Sequence, residues 1–217
     1  MFFLPVGCII GLLLFLVLPV LFLIIFFNLV AFSFDKLGVS PEVAMLVLIA
    51  TLAGSLVNIP LTKRKVVYVD YPAFFGLFRV RRAQATGLAI NVGGAIVPIC
   101  VSAYLVTQVP SLWQILAATA LMAVSTKLLA RPVPGVGIVL PMFIPPILAA
   151  AFSLLIAREF AAPCAYISGT LGTLLGADIL NLHSLRKLQG VASIGGAGVF
   201  DGIFLVGIIS VFLTALF

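Results

Sequence analysis

Asp178 and Asp201 are the residues of this chain whose type and setting point to chemistry. Both fall inside long apolar stretches, where an ionisable side chain is costly and by default marks a functional site. Neither stretch contains a Lys or Arg, so a buried ion pair does not account for the two acids. Two carboxyls held a few ångströms apart cannot both ionise readily, so one keeps a proton while the other acts as a base. Such a pair can activate water against a peptide carbonyl, one group accepting a proton and the other donating one.

The elements that must bring these acids together are the last two apolar runs, 162–182 and 193–216. A short connection around His183 to Gly190 makes them antiparallel neighbours. Asp178 then lies about one and a half turns before the cytoplasmic exit, and Asp201 about two turns after re-entry. Their depths match, near the cytoplasmic face. Gly176 and Asn181 flank Asp178, and Gly196, Gly198 and Gly202 surround Asp201, so these five are the candidate site-lining residues. The spacings Gly172 to Gly176 and Gly198 to Gly202 also suit close helix packing, which by itself explains glycines in a span. A purely structural role is open for the acids as well, since protonated Asp side chains can bond across helices at about 1 kcal/mol. His183 stands alone without a Cys or carboxylate cluster, so no metal site and no cofactor is argued.

Of the 217 residues, 64% are hydrophobic and 8% charged, against about 25% charged in a soluble domain. The chain lacks the polar surface to cover itself in water. Its apolar runs are continuous and near the roughly 20 residues a helix needs to cross a bilayer. Only helices or closed barrels satisfy their backbone in lipid, and barrel strands are far shorter. The expected fold is therefore an all-α, polytopic helical membrane protein with about seven transmembrane helices. The runs are 6–32, 41–59, 86–107, 112–130, 138–157, 162–182 and 193–216. The first is read as a retained helix bent at Pro19, because no basic start precedes it. Pro141, Pro145 and Pro146 predict a kinked or partly re-entrant fifth run.

Charge orients the chain. Lys63, Arg64, Lys65, Arg79, Arg81, Arg82, Lys127, Arg131, Arg186 and Lys187 share one side of this alternation, leaving Lys36 and Arg158 on the other. Basic loops mark the cytoplasmic side, which puts the N-terminus inside and the C-terminus outside. The +6 net charge thus sits in short loops beside lipid headgroups, and no nucleic-acid partner is expected. Membrane lipids are, with a transmembrane peptide as candidate substrate. The expected organisation is one transmembrane domain over 1–217, placed as a multi-pass protein in a prokaryotic inner (plasma) membrane. Its sizeable polar piece is the basic loop 62–85. There Val66-Val67-Tyr68-Val69 and Leu77-Phe78-Arg79-Val80 flank Asp70-Tyr71-Pro72 and Gly76, compatible with a β-hairpin or with an amphipathic interfacial loop.

The stretch Leu175-Gly176-Ala177-Asp178-Ile179-Leu180-Asn181-Leu182, with Ile194-Gly195-Gly196-Ala197-Gly198-Val199-Phe200-Asp201-Gly202-Ile203-Phe204 and Arg131-Pro132-Val133-Pro134-Gly135-Val136-Gly137, resembles the prokaryotic membrane family called domain of unknown function 1614. More loosely, the chain resembles the GxGD aspartyl intramembrane proteases, the group of presenilin, signal peptide peptidase and prepilin peptidase. That likeness implies one catalytic Asp on each of two adjacent spans, hence Asp178 and Asp201. Here Val199-Phe200 stand between Gly196-Ala197-Gly198 and the second Asp. Three functions are compatible with these residues. One is an aspartyl intramembrane protease-like hydrolase. The second is a proton- or cation-coupled transporter, with Asn91-Val92-Gly93-Gly94 joining the path, and the third is a non-catalytic membrane scaffold.

Overall fold

The computed structural model describes residues 6–62, 65–73, 78–133, 137–183, 191–196 and 202–217. The chain is mostly helical. Helix α1 (Val6–Lys36) runs continuously through Pro19, and α2 (Pro41–Ser55) follows after a turn with Gly38 at φ +70°. Next come strands β1 (Asn58–Pro60), β2 (Lys65–Ala73) and β3 (Phe78–Asn91). A π-helical turn, Val92–Ile96, leads into α3 (Val97–Val106), then α4 (Leu112–Leu129). Strands β4 (Arg131–Val133) and β5 (Gly137–Val139) precede α5 (Ile144–Ile156). A single 3₁₀ turn at Arg158–Phe160 opens α6 (Ala161–Thr173), which continues as a second π-helical turn, Leu174–Ile179. Strand β6 (Val191–Ile194) and α7 (Gly202–Thr214) close the described chain.

Among the described residues, three helical segments are long and apolar enough to cross a membrane: Gly11–Lys36, Leu112–Leu129 and Arg158–Ile179. The third is 72% buried inside the protein, against 11% and 28% for the other two, so α6 is the axis of the bundle. It packs on α3, α4, α5 and α7. Its glycines set the distances: a Cβ on Gly172 would run into Met122, and one on Gly176 into Thr126 and Ala123 of α4. By contrast α1 touches the bundle only through its last third. Phe26, Val30, Ser33, Phe34 and Leu37 are buried there, and Ser33 Oγ donates to the Ile208 carbonyl of α7 at 3.1 Å. From Leu12 to Ile25 its side chains are exposed, as are Trp113, Leu128 and Leu155, each above 80%. An apolar surface of this extent is consistent with a place in a membrane.

The remaining apolar helices have 13–15 residues: Pro41–Ser55, Val92–Val106, Ile144–Ile156 and Gly202–Thr214. At 1.5 Å per residue they reach about 20–22 Å, short of the roughly 30 Å hydrocarbon layer. The fold is mostly helical as expected, with strands added at the ends of four of the expected runs. The second ends in β1, and the third begins inside β3 and turns helical only at Val92. The fifth begins in the β4–β5 pair, and the seventh begins in β6. Apolar β-branched residues satisfy a hydropathy window whether they are helical or extended, so runs alone do not place these boundaries. The kink expected in the fifth run is corrected. Pro145 and Pro146 occupy the first turn of α5, where a missing N–H costs nothing, and Pro141 precedes the helix.

Strands β2 and β3 form an antiparallel hairpin with Lys65 opposite Thr86 and Ala73 opposite Phe78. Beyond it, β3 lies between β1, antiparallel with Asn58 opposite Asn91, and β6, parallel with Ile90 opposite Ile194. All six strands sit at one end of the bundle, where α2, α4 and α6 finish and α3, α5 and α7 begin. Asn91 is the joint of this end. Its side-chain amide donates to the Ser55 carbonyl at 2.7 Å, at the end of α2. Its Oδ1 accepts from Gly94 N at 2.7 Å, capping the helix that follows. Close by, Gly93 lies so tightly on Gly54 that a Cβ on Gly54 would stand 2.8 Å from Gly93 N. Asn91→Ala strands a buried carbonyl and a buried N–H, and should destabilise the protein by about 2 kcal/mol. A thermal melt in detergent checks this: a marked fall in Tm is expected, and an unchanged Tm would count against the joint.

Candidate functional site

The site begins with the second π-helical turn. Bonding from i to i+5 widens the helix for one turn, a distortion that recurs at functional sites. Here it spans Leu174–Ile179 and carries Asp178, which is 8% exposed. Asn181 closes the turn by donating from Nδ2 to the carbonyls of Gly176 at 3.1 Å and Ala177 at 3.0 Å. These are carbonyls that a widened turn leaves short of partners.

Asp178 Oδ2 accepts the backbone N–H of Gly195 at 2.7 Å. Gly195 and Gly196 follow β6 with φ of +84° and +86°, the left-handed region that only glycine enters cheaply. A Cβ on Gly195 would also meet Ala95 at 2.7 Å, so the residue is fixed by space as well as by angle. The parallel pairing of β6 with β3 delivers Gly195 to this spot, against the N-terminal turn of Val92–Val106. That turn carries the partial positive charge of a helix start, and Gly195 touches both it and the Asp178 carboxyl. Beside it a polar link runs through the strands: Ser193 Oγ donates to Asn58 Oδ1 at 2.6 Å, and Asn91 Nδ2 donates to the same oxygen at 3.3 Å.

The structure therefore brings Asp178, Gly176 and Asn181 together with Gly195 and Gly196. Asn181 serves the backbone of its own turn and makes no bond to Asp178. Gly176 is a contact point for α4, whereas Gly202 is exposed, with open space among the described residues where a Cβ would be. Gly198 and Asp201 lie outside the described residues. Gly195 and the Asn58–Asn91–Ser193 link were not anticipated from sequence. The signals present were the Gly195-Gly196 pair and an Asn placed three residues before Gly94.

Fold and site together define a mostly helical protein, with helices long and apolar enough to cross a membrane and a carboxyl buried in its central helix and bonded to the backbone of a strand-to-helix connection. The chain belongs to the family of proteins of unknown function DUF1614, whose sequence model matches residues 52–213 and so covers everything from late α2 to α7. No curated protein and no solved structure matches the chain.

Replacing Asp178 by Ala leaves the buried Gly195 N–H unpaired and should cost about 1–3 kcal/mol. Asp178→Asn keeps a carbonyl oxygen as acceptor and should melt within a few degrees of the unaltered protein. Equal losses in the two variants, measured by thermal unfolding, would show that the bond to Gly195 is not what holds Asp178 in place.

Proposed function

We propose that this protein is an intramembrane hydrolase of the aspartyl type, which cleaves a peptide bond in a membrane-embedded polypeptide with Asp178 and Asp201 as its carboxyl pair. The observation that carries this reading is the bond between Asp178 Oδ2 and Gly195 N. It ties a carboxyl of the central span to the very segment whose sequence continues to Asp201. Among the described residues the acid has no cation beside it, so no ion pair there repays its burial. One oxygen is fixed by a backbone donor, and in this reading the other engages the substrate or a water molecule.

In the proposed reaction the ionised carboxyl takes a proton from water as the water oxygen bonds to the carbonyl carbon. The protonated carboxyl gives its proton to the departing nitrogen as the C–N bond breaks. The carboxyls then exchange roles for the next turnover. β6 suits such a substrate, because extended peptides bind by adding to a sheet edge, and among the described residues β6 pairs only with β3. The basic strand-bearing end is placed at the cytoplasmic side by the positive-inside rule, in a multi-pass inner-membrane protein.

A second reading, proton- or cation-coupled transport, draws support from two π-helical turns and two short helices starting around one buried carboxyl, since interrupted helices build transporter sites. The two readings separate in proteoliposomes containing a single-span substrate. Hydrolysis predicts that Asp178→Asn and Asp201→Asn each lower the cleavage rate by about 10²–10⁴-fold, the usual cost of losing a general acid or base. Cleavage that survives both changes removes the hydrolase reading. Ion flux lost in the same variants, without any cleavage, would install the transporter.

A further inference from the structure

The axis helix carries a polar feature that the chemistry at Asp178 does not itself use. Tyr166, Thr170 and Thr173 recur at i, i+4 and i+7 and so share one face of α6. They are 0%, 1% and 2% exposed. Ser102 of α3 meets this face, its Oγ 2.9 Å from Thr170 Oγ1, and the Thr170 hydroxyl also bonds the Tyr166 carbonyl at 2.7 Å. The phenol oxygen of Tyr166 and Oγ1 of Thr173 have no hydrogen-bond partner among the described residues. Phe and Val would fill the same space without a stranded hydroxyl. A buried polar atom with no protein partner is the usual mark of an internal water site.

The stripe leads to the acid because of the π-helical turn. In a regular α-helix, residues five apart point about 140° away from each other. With i to i+5 bonding they stand roughly one turn apart on the same side, which sets Asp178 beneath Thr173. The whole stripe from Tyr166 to Asp178 covers about 18 Å of helix axis at 1.5 Å per residue.

We propose that the Tyr166–Thr170–Thr173 face of α6, together with Ser102, holds a short file of internal water that ends at the Asp178 carboxyl. A hydrolytic site walled by apolar side chains needs a supply of its second substrate, and this file provides it. That role rests on the hydrolase reading, while the hydration of the file does not. Phe34 and Phe204 serve as the comparison rings: they are buried like Tyr166, at 0% and 3% exposed, belong to the same apolar cluster and carry no polar atom to hold water.

X-ray radiolytic footprinting of the unaltered full-length chain in lipid nanodiscs tests this, with hydroxyl radicals formed from water in place as the probe. Tyr166 should be hydroxylated about tenfold faster than Phe34 and Phe204, because only water next to a buried ring can deliver the radical to it. Equal and low rates at all three rings would overturn the file, and so would equal and high rates, which would mean hydration not confined to the stripe. Rapid labelling of Tyr166 in a protein that cleaves nothing would keep the file and discard the hydrolase.

Discussion

A backbone that leaves the helical path among apolar residues must find all of its hydrogen-bond partners within the protein. This constraint shapes the strand-bearing end of the bundle. Four short helices stop or start there, and each interruption exposes donors and acceptors. The sheet β1–β3–β6 pairs most of them, and Asn91 serves two helix ends at once. Asp178 takes the N–H of Gly195, at the point where β6 gives way to the left-handed glycine pair. The carboxyl is thus part of the structural solution as well as the candidate for chemistry. A group with both duties is held at a defined position, which a reacting acid requires.

The helix interfaces follow from a different economy. Lipid gives two helices little reason to associate through apolar area alone, so close backbone approach has to supply the attraction. Gly172 and Gly176 let α4 lie against α6, and Gly54 and Gly93 do the same for α2 and the helix after β3. Hydroxyls bonded to carbonyls, such as Thr126 to Gly172 at 3.1 Å and Ser210 to Ala165 at 3.1 Å, join the same contacts. Among the described residues the central helix therefore has a polar lining without a charged pair, compatible with an interior that admits water.

Much of this was readable in the residues. Continuous apolar runs announced a helical, membrane-type protein, and Asp178 stood out as an acid in a span without a cation. The pattern Gly172 to Gly176 foretold a close crossing. The strands within the third, fifth and seventh runs were hidden, because Leu88-Ala89-Ile90 and Val191-Ala192-Ser193-Ile194 are as apolar extended as they would be helical. Pairing partners far along the chain, and not local composition, decide their state. The π-helical turn was hidden for a similar reason. It depends on how Gly176 seats on α4 and how Asn181 ties off the freed carbonyls, both tertiary facts. Gly195 was present in the quoted motif, but its role came only with the parallel pairing that carries it to Asp178.

The account stands on two carboxyls sharing one site. Its most direct test is the separation of the Asp178 and Asp201 carboxyl groups in an experimental structure of the protein embedded in lipid. The account predicts that they lie within hydrogen-bonding reach, directly or through one water, with Asp178 still accepting from Gly195 N. Carboxyls on different helix faces, each sealed from water with its own separate partner, would contradict it and leave Asp178 as a structural tie between α6 and the β6–α7 connection.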